Sequence, residues 1–179
     1  MEAWIGSAVV AVVISSLVTI AGWYATHRSE RMLEVARRQE RIQDIQTALL
    51  ADIRSTSYRF EVVDSDQHLD EVVALIEGTP RYTPFVPREP GSLLWQSIAQ
   101  EVHILPNEVI DPVILFFSQL ETIRYFVEDL RSEQFSSLES ARKAAMYRDY
   151  VRMVKFLVLL AEKAEGALAR SLGVKLPDQ

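Results

Sequence analysis

Trp4-Ile-Gly-Ser-Ala-Val-Val-Ala-Val-Val-Ile-Ser-Ser-Leu-Val-Thr-Ile-Ala-Gly-Trp-Tyr24 decides how the rest of the chain is read. These 21 residues hold no Asp, Glu, Lys or Arg, and the surrounding charge-free run extends from Glu2 to Arg28 apart from any charge on His27. As a helix rising about 1.5 Å per residue they cover about 30 Å, the thickness of a bilayer's hydrocarbon core. Trp4 at one end and Trp23 with Tyr24 at the other suit the two headgroup interfaces, where amphipathic rings collect. The stretch therefore predicts a transmembrane anchor over 1–27 in contact with the lipid bilayer.

Residues before this run carry Glu2 and no Lys or Arg, the reverse of a signal peptide's basic start, and the run is too long for one. Arg28, Arg31, Arg37, Arg38 and Arg41 follow it closely. Basic residues on one flank alone place that flank in the cytoplasm, so the expectation is a single-pass protein with its N-terminus outside and its C-terminal domain cytoplasmic. Within the span, Ser7, Ala11, Ser15 and Thr19 recur every four residues and share one helix face. Small side chains let helices approach closely, so this face predicts self-association or docking onto a larger membrane protein complex; a plain single span is the alternative.

Working outward, residues 28–41 are half charged and form a helical stalk, with Glu34 and Arg38 in the favourable i,i+4 order. The arginines at 28, 31, 37 and 38 are candidates for anionic lipid headgroups, at about 1 kcal/mol each when adjacent to the surface. No glycine or proline falls between Gly22 and Gly78, so nothing obvious stops one helix across that distance. Ile42, Ile45, Leu49, Ile53, Thr56, Phe60 and Val63 form an apolar stripe with helical steps. It suits packing within the chain's own bundle, or a coiled coil between copies.

The remainder, 42–179, has the composition of one cytosolic helical bundle. Residues 61–77 are acidic, and Asp64, His68 and Glu71 share a helical face that would suit a metal ion. Calcium-loop spacing is absent, which favours a solvated acidic surface. Thr79-Pro-Arg-Tyr-Thr-Pro-Phe-Val-Pro-Arg-Glu-Pro-Gly91 predicts an extended crossover loop, pinned over the bundle or offering a PxxP docking segment. Ser92 suits a helix cap; Asn107 offers one start for the central helix and Asp111-Pro112 another, preferred because it puts the proline at the first position, with a turn before it; and Ser136-Ser-Leu-Glu139 suits a capping box opening a last helix that Gly173 closes. Val113, Phe116, Phe117, Leu120, Ile123 and Val127 give the central helix its core face, and Trp95 suits a core anchor. Phe156-Leu-Val-Leu-Leu160 is apolar all round and predicts a buried turn or a contact with a second subunit. Arg148, Arg152 and Lys155 form a basic face that would meet a polyanion or the acidic stretch. The fold expected is all-α: an anchor continuing into a stalk, then an antiparallel bundle of three long helices and one short.

The net charge is −6, which argues against a nucleic-acid coat, and the absence of cysteine excludes disulfides and thiolate chemistry. No nucleophile elbow, Gly-rich phosphate loop or HExxH occurs, so no catalytic residue, cofactor, metal or small-molecule substrate is assigned. Leu105-Pro-Asn-Glu-Val109, the Phe116-Phe117 and Leu120 helix, and Tyr147-Arg-Asp-Tyr150 together resemble a pattern in uncharacterised short bacterial membrane proteins, with Phe117 where that pattern has tyrosine. The resemblance implies one N-terminal span, a helical cytosolic region and a bacterial inner membrane. The function expected is a non-enzymatic assembly or accessory subunit, a homo-oligomer or part of a larger complex. A tethered sensor or metal-dependent enzyme, and a membrane-perturbing effector or small channel, are the alternatives.

Overall fold

The computed structural model describes the backbone of residues 2–60, 66–79 and 81–175; in the first 29 residues only the side chains of Trp23, His27 and Arg28 are described. The described residues form six α-helices and no strand. They are α1 (Glu2–Phe60), α2 (Asp66–Gly78), α3 (Leu93–Ile98), α4 (Asn107–Leu130), α5 (Glu133–Ser137) and α6 (Ser140–Leu172), with a 3₁₀ turn at Ala99–Ile104. The chain divides into two compact units, Met1–Gln43 and Asp44–Gln179.

The first unit is helix throughout its described backbone. Every residue from Glu30 to Arg41 is exposed, including Met32, Leu33 and Val35. Trp23 lies flat on His27, one turn on, with ring centroids 5.5 Å apart. Among the described residues no helix is long and apolar enough to cross a membrane. The side chains of Trp4, Tyr24, Ser7, Ala11, Ser15 and Thr19, on which the anchor and its contact face depend, lie outside the described residues.

In the second unit α1 is described as far as Phe60 and α2 from Asp66; residues 61–65, within the run read as unbroken to Gly78, lie outside the described residues. Asp66 in the first turn of α2 suits the positive end of its helix dipole. The central helix α4 starts at Asn107, with Pro106 in the cap position, so Pro112 falls inside it rather than at its first position. Proline there forfeits only one backbone bond, to the carbonyl of exposed Glu108, which water can satisfy. The capping box expected at Ser136 does not form. Ser132 instead caps the preceding short α5, its hydroxyl accepting from Phe135 N at 3.1 Å, and the Phe135 ring of that helix is buried. Helix α6 then starts at Ser140 with no side-chain cap.

Other local signals act as read. Ser92 Oγ accepts from Trp95 N at 2.7 Å and opens α3. Gly173 closes α6 with φ of 67°, the left-handed region that glycine enters without Cβ strain.

Helix α6 is the hub. Helix α4 packs along it antiparallel, joined by the α5 turn, and Gln119 Nε2 donates to Met153 O at 3.1 Å midway. Helix α2 packs on another side, also antiparallel, since Asp66 meets Lys155 and Glu77 meets Arg148. Phe116, Phe117, Leu120 and Ile123 of α4 and Val154, Leu157 and Leu168 of α6 are shut off from solvent. Trp95 stacks on Phe117 at 4.4 Å between centroids, and Phe116 meets Phe117 edge-on at 5.0 Å. Such aromatic pairs contribute about 0.5–1.5 kcal/mol beyond the area they bury. The stripe on α1 joins this core through Leu49, Ile53, Thr56 and Phe60, with Ile45 partly buried beside them. Val63 lies outside the described residues.

Candidate functional site

The most concentrated polar chemistry lies where the Pro-rich segment crosses α6. Prolines at 80, 84, 87 and 90 remove four backbone donors, so this loop cannot satisfy itself by helix or sheet pairing. Side chains from three helices donate to it or pair with it instead. Lys143 of α6 places Nζ 3.4 Å from Tyr82 O and 3.3 Å from Thr83 Oγ1. Arg131, at the end of α4, donates to Val86 O at 2.6 Å and lies over the Phe85 ring. Arg59 of α1 lies 2.7 Å from Glu89 Oε1, and Arg88 reaches Glu128 at 3.2 Å. At the far end Ser92 Oγ donates to Asp52 Oδ2 at 2.5 Å, tying the loop's exit to α1. The PxxP segment is thus a strap, with Pro84 and Val86 buried and only the Phe85 side chain projecting outward between them.

Beneath the strap, Lys143, Tyr147 and Tyr150 recur at i, i+4 and i+7 on one buried face of α6. Lys143 is only 3 % exposed and touches a carbonyl and a hydroxyl rather than a carboxylate. Tyr147 Oη lies 3.3 Å from His68 Nε2, and the Tyr147 and Tyr150 rings pack at 5.8 Å. Burial pushes both phenols above their usual range; Tyr82 raises Tyr147 further, and Tyr147 and Glu89 raise Tyr150 further. Burial also raises the Glu89 carboxyl, against the opposing pull of Arg59. The Glu89 Oε1 contact with Arg59 is close without hydrogen-bond alignment, which leaves that buried oxygen without a hydrogen-bond donor. A shallow cavity of about 240 Å³ lies beside the strap, between Thr83 to Val86 on one side and Leu130, Arg131 and Ser136 on the other.

Chemically, this arrangement fastens a loop. The phenols are held protonated, and the lysine is occupied by the strap.

The residues singled out by sequence fall elsewhere. Arg28, Arg31, Arg37 and Arg38 are exposed along α1, and Trp23 is 68 % exposed. Arg148 pairs with Glu77 at 2.9 Å and Lys155 with Asp66 at 2.5 Å, so both meet the acidic stretch on α2. Arg152 pairs with Asp149 of its own helix at 3.1 Å. Of the metal reading, Asp64 lies outside the described residues, His68 faces Tyr147, and Glu71 accepts from Gln67 at 2.9 Å. Among the described residues no three His, Asp or Glu side chains converge as metal ligands. His103 is exposed and its Nδ1 lies 3.0 Å from Gln100 O. The turn at 156–160 is split: Leu157 and Leu160 are buried, while Phe156 and Leu159 are about half exposed.

Sequence reasoning passed over Lys143 and Glu89 entirely. The visible signal was the Lys143, Tyr147, Tyr150 spacing opposite a proline cluster whose carbonyls needed donors.

The described residues are all-α, a helical bundle in one unit and helix alone in the other. No protein family, no curated protein and no solved structure matches it.

Proposed function

We propose that this chain is a membrane-tethered, non-enzymatic assembly subunit, which associates with itself or docks onto a larger membrane complex. One observation carries the reading: the helical segment 30–41 is exposed along its whole length, Met32, Leu33 and Val35 included. Helices in proteins gain most of their stability by packing an apolar face, and the exposed apolar groups of this segment add nothing without a partner. The apolar stretch 4–24 and the arginines behind it support a single-pass anchor with the bundle in the cytoplasm. The polar cluster supports a structural use, because its donors are directed at the chain's own strap.

The experiment is to express the full chain in bacterial membranes, extract it in mild detergent and determine the protein mass of the particle. A mass above one chain, or a stoichiometric companion that co-purifies, is the expected result. A single-chain particle without companion sinks the proposal. Recovery of the chain in the soluble fraction after lysis, without detergent, sinks its membrane part.

A further inference from the structure

We infer that α1 residues 32–42 form a parallel, in-register two-stranded coiled coil with a second copy of this chain, along a seam of Met32, Val35, Gln39 and Ile42. The inference rests on the proposed self-association and names the surface responsible for it.

The argument starts inside the bundle. On α1, Gln46, Leu49, Ile53, Thr56 and Phe60 are buried, each at most 5 % exposed except that none of the first four exceeds 2 %. Their steps of 3, 4, 3 and 4 are those of alternating heptad positions a and d. Counting back in the same register puts Ile42 at d, Gln39 at a, Val35 at d and Met32 at a. The repeat that is covered in the second unit therefore continues into the first, where Val35 is 70 % and Met32 67 % exposed. A seam with a 3.5-residue repeat is complementary to another helix with the same repeat, and a second copy supplies one by symmetry.

Charge selects the orientation. Arg31 and Arg38 hold the g positions, and Ala36 and Gln43 the e positions. In a parallel pair g lies beside e of the other strand, so no like charges meet. In an antiparallel pair g lies beside g, and arginine would meet arginine. Glu34, Arg37, Glu40 and Arg41 occupy c, f, b and c, away from the seam and exposed. Gln39 at a carries an amide that can both donate to and accept from its own copy, a polar pair that fixes register and strand number. A parallel pair is also the only one open to two copies entering the same membrane from the same side, and that tether raises their local concentration. Leu33 falls at b and stays outside the contact.

The absence of cysteine makes the test direct. Four single substitutions in the full chain are oxidised with copper phenanthroline in membranes: Val35→Cys and Met32→Cys on the seam, Arg37→Cys and Leu33→Cys off it. All four sites are exposed, so folding of the bundle is not at stake. The expected result is disulfide-linked dimer at 35 and 32 forming at least about tenfold faster than at 37 and 33, as proximity raises the effective thiol concentration. The mass of the unmodified particle is measured in parallel. Equal rates at all sites, faster linkage at 37 or 33, or no linkage, with a particle of two or more copies, overturns the coil and leaves self-association standing. A one-copy particle without selective linkage overturns both.

Discussion

Two halves of one helical seam meet opposite fates in this molecule. From Gln46 to Phe60 the a and d positions of α1 are closed off by the bundle, whereas Met32 and Val35, in the same repeat, are open to solvent. Local sequence explains the helix in both halves; only the neighbours differ. The comparison separates two roles that hydrophobic periodicity mixes together. It sets the face a helix will bury, and leaves open whether the chain itself provides the cover. Around Ile53 the cover is the chain's own core. Around Val35 the second unit of the chain supplies none.

The comparison breaks most visibly by truncation. Phe117→Ala, which empties a fully buried site stacked on Trp95, should cost about 3–5 kcal/mol in denaturant unfolding of the bundle. Ile53→Ala on the covered seam should cost about 2–4 kcal/mol. Val35→Ala should stay within about 0.5 kcal/mol when bundle unfolding is followed at concentrations that keep copies apart. An equal loss at 35 and 53 would mean that the open half packs within its own chain, and the contrast would be gone.

Next in size is the strap. Lys143→Ala removes a packed stem and leaves Tyr82 O and Thr83 Oγ1 with one donor fewer, a loss of about 1–3 kcal/mol. Faster cleavage near Tyr82 in limited proteolysis, with the stalk unaffected, would place the effect in the bundle half.

The pH response sharpens the same division. Glu89 has its carboxyl raised in the folded state, so the folded chain binds its proton more tightly than the unfolded one. Stability from this group is full below the unfolded value, about 4.3, and declines as pH rises through the folded value. Glu89→Gln should flatten that decline in unfolding measured from about pH 4 to 7. The raised phenols act at the other end: above about pH 10 the unfolded chain loses protons that folded Tyr147 and Tyr150 retain, and stability falls. Tyr150→Phe should lessen this alkaline loss. A variant that left both slopes intact would disconnect the cluster from stability.

Smallest of all is the surface. Arg148→Ala, at a half-exposed pair with Glu77, should change stability by no more than about 1 kcal/mol, and less in high salt.

What the sequence disclosed follows from range. The all-α class, the Ser92 cap and the Gly173 stop depend on residues within a turn of one another, and each could be read directly. The cap expected at 136 is absent because Ser136 falls within α5, which Ser132 opens three residues ahead of the buried Phe135 ring. The polar cluster was hidden by its longer range. Lys143 and Thr83 stand 60 positions apart, and nothing near either announces the other. Met32 and Val35 were masked differently, as two apolar residues in a stretch that is half charge.

The strap also sets where the molecule tolerates change. Surface loops ordinarily accept extra residues at low cost, because little of their backbone is fixed. Between Tyr82 and Ser92 this loop is fastened to α1, α4 and α6 at Glu89, Val86 and Thr83, and again at Ser92. An added residue there would throw at least one fastening out of register, and the fastenings serve three different helices. For grafting a tag or a reporter, the segment that looks most like a free linker is the one to leave alone; exposed Val174 and Lys175 offer the better site.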